Sequence, residues 1–152
     1  MDNKDIVDTL NTLIETAKDG EYGFSQCAEH TKSTSIKQIF LARAKDCAQA
    51  ASELQSLVVM YGGPPEKGGS ASGSLHRGWV SVKGTLAGYS DLSMLEEAER
   101  GEDVALKHYR AAMQNDKLPA DIRSVVAIQF EGAQRNHNQI RDLRNQAREM
   151  SA

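Results

Sequence analysis

The chain carries only two cysteines, Cys27 and Cys47, in 152 residues. Folding the first two predicted helices back on each other about Ser33 sets the thiols several residues out of level, so both are expected reduced, Cys47 in the core. Positive charge is not in excess either. Eighteen Lys and Arg stand against 21 Asp and Glu, a net charge of −3, which gives no footing for nucleic acid or an anionic membrane. No apolar run approaches the roughly 20 residues of a membrane span. The opening Met1-Asp2-Asn3-Lys4-Asp5 lacks the basic and apolar regions of a signal peptide, so a cytoplasmic protein is expected. The glycine pairs between Gly62 and Ser74 lack the preceding strand and the Lys-Ser/Thr of a phosphate loop. No nucleophile stands out beside a base, so no catalytic residue is assigned.

What the chain does have is helical periodicity. At 39% hydrophobic and 26% charged residues, residues 1–152 are expected to fold as a single domain with a proper core. Ile6, Leu10, Leu13, Ala17, Phe24 and Ala28 keep helical spacing and predict a first helix from Asn3 to about Thr31, with Glu21 on the same stripe. A second helix is expected from Ser35, capped by Ser35 with Gln38 reaching back, through Ile36, Phe40, Arg43, Cys47, Ala51, Leu54 and Val58. Gly62-Gly63-Pro64-Pro65 ends it, because glycine supplies a left-handed cap and proline cannot continue a helix. Residues 62–74 are Gly-, Ser- and Pro-rich and long enough to cross the whole bundle. The third helix should run to about Gln114, from Leu75 or from a break near Gly84 or Gly88, through Leu86, Tyr89, Leu92, Leu95, Leu106, Tyr109 and Met113. After a turn at Asn115–Leu118, Pro119 suits the start of a fourth helix through Ile122, Val126, Ala133, Ile140, Leu143 and Ala147, with Gln129, Asn136 and His137 on its inward side.

Short, long and short connections describe an all-α four-helix bundle in which the second and third helices run parallel. Lys18-Asp19-Gly20-Glu21, Glu53-Leu54-Gln55, Leu75-His76-Arg77-Gly78-Trp79, Glu99-Arg100-Gly101-Glu102-Asp103 with Tyr109, and Asn136-His137 with Ile140 and Leu143-Arg144 give the chain its likeness. It resembles the ferritin-like superfamily, and more closely a bacterial family of four-helix-bundle proteins with a domain of unknown function. That resemblance implies the fold and a crossover at about residues 62–74. It also implies a possible metal centre, since metal-binding ferritin-like proteins place one Glu on each of two helices and Glu-x-x-His on the other two. This sequence departs from that pattern: Ser56 follows Glu53 and Gln134 follows Glu131 where His is required, and Glu131 points away from the apolar stripe.

Two Gly-Glu pairs, Gly20-Glu21 and Gly101-Glu102, fall where the repeat calls for core residues, and a carboxylate aimed into a bundle must find a cation or a proton. Counting along the helices sets Glu21, His137 and Glu99 at about one height, with Arg43 and Asp46 near it and Glu53 about two turns away. Two main readings follow. Glu21, Glu99, Glu102 and His137, with Glu53 as a further candidate, form a metal site for iron, manganese or zinc. Alternatively Arg43, with Asp46 nearby, anchors a structural ion-pair layer by holding Glu21 and Glu99, in a bundle that acts through its surface. A metal-free acid/base site is the minor third reading. His30 and His108 are expected on the surface, and Tyr61 and Tyr109 at the core edge, Tyr109 within reach of Glu102 or Glu99. Trp79 pins the crossover to the bundle or, with His76, makes a subunit contact in a homo-oligomer built through the crossover and the start of the third helix. Arg135, Arg141, Arg144 and Arg148 form no single-sided patch for nucleic acid.

Overall fold

The computed structural model describes residues 2–66, 79 and 90–151. Among them are four helices and no strand: α1 (Asn3–Glu29), α2 (Thr34–Met60), α3 (Asp91–Met113) and α4 (Ala120–Ser151). Asp2 caps α1 by accepting from the Asp5 amide. The cap of α2 is Ser33 rather than Ser35: its hydroxyl accepts from the Ile36 amide, while Ser35 lies inside the first turn and bonds the Ser33 hydroxyl. At the far end Gly62 takes φ +80° and the Gly63 amide bonds back to the Val58 carbonyl, the glycine-terminated stop expected there. α3 opens with a reciprocal capping box between Ser90 and Ser93. Leu75, Gly84, Leu86, Gly88 and Tyr89, where the third helix was expected to begin, lie outside the described residues, as does His76.

Anchors along α1 trace the crossover. Asn3 bonds the Tyr61 carbonyl, Asn11 holds both the Pro64 carbonyl and the Glu66 amide, Trp79 rests on Gly23, and Asp91 accepts from the amides of Lys32 and Ser33 at 2.7 and 3.1 Å. The chain between α2 and α3 therefore passes from one end of α1 to the other, and α3 starts beside the α1–α2 turn. α2 and α3 run parallel, while α1–α2 and α3–α4 are antiparallel hairpins, as the loop lengths demand. The packing is uneven: α1 sits closely on α2 and α3 on α4, whereas the α2–α4 seam is the loosest.

Two apolar clusters fill the bundle. One, near the α1 N-terminus, gathers Leu10, Leu13, Ile14, Leu54, Val58, Ile122 and Val126. The other, near the α1–α2 turn, gathers Phe24, Phe40, Cys47, Trp79, Leu95 and Ile140. Both cysteines are buried and unpaired. Between the clusters the interior turns polar around Arg43, Glu102 and Asn136.

Candidate functional site

Glu102 is the centre of this layer. It lies on the buried face of α3 beside Gly101, 1% exposed. Arg43 reaches it from α2 in fork-to-fork geometry, Nε to Oε2 and Nη2 to Oε1, each 3.0 Å. Asn136 of α4 donates to Oε2 at 2.7 Å. A carboxylate removed from water is stable only with its charge met and its lone pairs filled, and three helices combine to do this. Arg43 in turn stands over the Phe24 ring, 5.9 Å from its centroid. Burial alone would pull the guanidinium pKa down, but the charge and hydrogen bonds of Glu102 outweigh it and the net direction is up.

The other candidate carboxylates are elsewhere. Glu21 is half-buried and pairs with Lys18 one turn back, at 3.6 Å. The buried arc of α1 is centred instead on Ala17, Gly20, Phe24 and Cys27, which leaves Glu21 at its edge, so Arg43 does not hold it. Nor does Arg43 hold Glu99, which pairs with Arg144 and lies 4.0 Å from His137 Nε2. His137 makes its short contact, 2.6 Å, to Asp103 on the outer part of α3. Glu53 is exposed and accepts from Gln129. Asp46 is exposed as well. The five candidate ligands thus separate into a clamped central Glu102, a Glu99–Asp103–His137–Arg144 group on the α3–α4 seam, and two outlying carboxylates. Among the described residues no group of three or more His, Cys, Asp or Glu is arranged to hold a metal ion.

Neighbouring polar side chains complete the layer. The Tyr109 hydroxyl donates to Gln129 at 2.8 Å, not to Glu102 or Glu99, and the Gln129 amide passes the chain on to Glu53 and the Ala50 carbonyl. Burial, foremost, raises the Tyr109 pKa. His108 is not a free surface histidine: its Nδ1 lies 2.8 Å from the Thr16 hydroxyl. Burial pushes the Cys47 thiol up to about 12 against the opposing pull of Arg43, and raises Cys27 also, with Glu97 adding to it. Sequence reasoning missed buried Asp19 and Glu97, the latter paired with Arg100. It also missed the engagement of Asp103 with His137 and of Asn136 with Glu102. Asn136 had been placed inward by periodicity, the one signal that pointed to it.

Trp79 closes one side. Its ring, 5% exposed, stands edge-on to Phe24 at 5.0 Å between centroids. It occupies a slot that exists because Gly23 and Gly101 have no side chains: a Cβ at either would fall 2.1–2.3 Å from ring atoms. Next to it the layer encloses a cavity of about 280 Å³ reached by all four helices. As a dimetal ligand set these residues do not fit, because both oxygens of Glu102 are engaged by Arg43 and the remaining carboxylates do not converge on it.

Three comparisons bear on this arrangement. The model of a family described as "Domain of unknown function (DUF2383)" matches residues 5–115, which takes in most of α1 and all of α2 and α3. No curated protein matches. Among solved structures, a dodecameric thioferritin, the bacterioferritin-related protein from Bacteroides fragilis, superposes with a TM-score of 0.82 at 12% identity, covering 99% of this chain and 90% of that one. At that identity the likeness establishes the fold, a ferritin-like bundle, and nothing of its chemistry.

Proposed function

The chain belongs to the DUF2383 family and folds as a ferritin-like four-helix bundle, and from that premise we propose a non-enzymatic bundle acting through its surface, in which Arg43 supplies the positive charge that the interior carboxylate demands. The observation that carries this reading is the bidentate Arg43–Glu102 pair with Asn136 on the same carboxylate. A guanidinium fork matched to both oxygens leaves Glu102 no lone pair directed at a further cation from that side. The test is elemental analysis of protein purified without a histidine tag, with melting measured in the presence and absence of chelator. Metal below stoichiometry and an unchanged melting temperature are expected. Stoichiometric iron, manganese or zinc, with a melting temperature lowered by chelator, overturns the reading.

A second reading keeps a metal on the α3–α4 seam, favoured by the position of His137 Nε2, 2.6 Å from Asp103 and 4.0 Å from Glu99. Arg144 on Glu99 counts against it. There, His137→Ala would abolish metal content while leaving the Arg43–Glu102 pair intact. Assembly with copies of itself is part of the proposal, supported by the dodecamer named for the thioferritin; light scattering of the purified chain tests it. No helix among the described residues is long and apolar enough to cross a membrane; a cytoplasmic setting is part of the proposal.

A further inference from the structure

Asp46, Ala50 and Glu53 recur at helical spacing along one edge of α2, and Ile128, Gly132 and Arg135 along one edge of α4. These edges face each other across the loosest seam of the bundle, and all six residues line the central cavity. They form its mouth. Ile128, Asp46, Glu53 and Arg135 are exposed there, and Gly132 leaves the edge open: a Cβ at that position would meet only the tip of the Arg135 side chain, 3.8 Å away. Behind the mouth the cavity reaches inward to Trp79, Phe24 and Tyr109. Its roughly 280 Å³ is close to the lower end, about 300 Å³, of small-molecule pockets, so it suits a fragment-sized ligand rather than a nucleotide or a peptide.

The charges at the site select the ligand. Arg43 and Glu102 line the cavity but neutralise each other, and the buried Asp19 lines it as well. At the mouth two carboxylates, Asp46 and Glu53, outnumber the one guanidinium of Arg135. We infer that this cavity binds a small organic cation, an ammonium group on a compact aromatic or alkyl body, with the body against Trp79 and Phe24 and the charge toward Asp46 and Glu53. This site goes beyond the proposed role of the Arg43–Glu102 pair and does not depend on whether a metal is bound on the α3–α4 seam.

Trp79 is the protein's one tryptophan, so its emission reports on the cavity directly. Chelator-treated protein is titrated with benzylamine, benzyl alcohol and benzoate at neutral pH, and Trp79 emission is followed. Benzylamine is expected to produce a saturable change, with the neutral alcohol weaker and benzoate weakest. The double variant Asp46→Asn/Glu53→Gln, altered only at exposed positions, should bind it about two- to fivefold more weakly, the range for solvated ion pairs. Gly132→Leu puts a side chain into the open edge of the mouth at a helical position where glycine is the poorer helix former, and should abolish the change while the protein stays folded by circular dichroism. Absence of a saturable benzylamine signal, equal binding of the alcohol or of benzoate, or full binding by folded Gly132→Leu overturns the assignment. Metal content, measured separately, bears on the earlier reading and leaves this titration untouched.

Discussion

Replacing Gly101 with Ala isolates the Trp79 slot. Inside a helix the change should stabilise by about 1 kcal/mol, since Ala is the better helix former. Here the new Cβ would lie 2.3 Å from Trp79 Cζ2 and 2.4 Å from Cε2, about 1 Å inside the 3.4 Å at which ordinary contact begins. The ring cannot retreat toward α1, because Gly23 there has the same tightness, with 2.1 Å from its own virtual Cβ to Cδ2. Overpacking of this kind costs about 1–3 kcal/mol, and expulsion of a buried Trp about 3–5 kcal/mol. After the propensity gain, a net loss of roughly 2 kcal/mol is expected, or roughly 4–8 °C in Tm at this chain length. Thermal unfolding followed by circular dichroism measures it, and Trp79 emission should shift to the red as the ring gains water. Gly132→Ala is the control: with open space around its Cβ it should gain about 1 kcal/mol. Gly20→Ala falls between, because its Cβ would meet only the Cys47 thiol at 2.9 Å, an atom that can rotate away. If Gly101→Ala melts at or above wild type with unchanged emission, Trp79 does not occupy the slot and the reasoning fails.

Arg43→Met leaves Glu102 buried with Asn136 as its remaining polar partner, and should destabilise by about 3–5 kcal/mol, the cost of breaking a buried pair. Arg43→Met with Glu102→Gln should recover much of that loss; urea unfolding of the full double-mutant cycle checks it, and simple additivity would show that the pair does not couple. Alkaline pH should weaken the fold. Burial lifts Cys47 from the ordinary 9.0 to about 12, so above about pH 9 the unfolded chain loses a proton that the native chain keeps, and stability falls until about pH 12. The urea midpoint should drop between about pH 8 and about pH 10.5, and drop less in Cys47→Ala; an equal slope in the variant would exclude Cys47 as a contributor. The same burial predicts that Cys27 and Cys47 resist alkylation by iodoacetamide in the native state and react on unfolding, which mass spectrometry of labelled protein would reveal.

Much of the bundle was legible because its punctuation is local. The Gly62-Gly63-Pro64-Pro65 stop, the apolar stripes and the connection lengths each act within a few residues, and together they specify parallel α2 and α3. The interior layer was harder, since it depends on how far each helix is rotated about its axis. One residue along a helix is 100° of rotation, enough to carry Glu21 from the axis to the rim while its neighbour Gly20 takes the central place against Cys47. On α3 the second Gly-Glu pair faces inward, and the Arg43 guanidinium meets Glu102 rather than Glu21 or Glu99. The pairing of Asn136 with Glu102, and the slot made by Gly23 and Gly101 for a tryptophan 22 positions before Gly101, are contacts between helices that no single-helix pattern records. Ser33 displaced Ser35 as the α2 cap for a similar reason, because Asp91, distant in sequence, holds the Lys32 and Ser33 amides and fixes where that helix can begin.

The anchoring of the crossover along α1 has a consequence for assembly of the fold itself. Each antiparallel hairpin, α1–α2 and α3–α4, closes through a short turn at little entropic cost. Bringing the two hairpins together is then an encounter between partners on one chain, governed by the effective concentration that the connection imposes. Asn11 and Trp79 divide that connection into shorter spans as each is seated. Each anchor made on α1 shortens the free span of that connection and so raises the effective concentration of the α3–α4 hairpin beside α1.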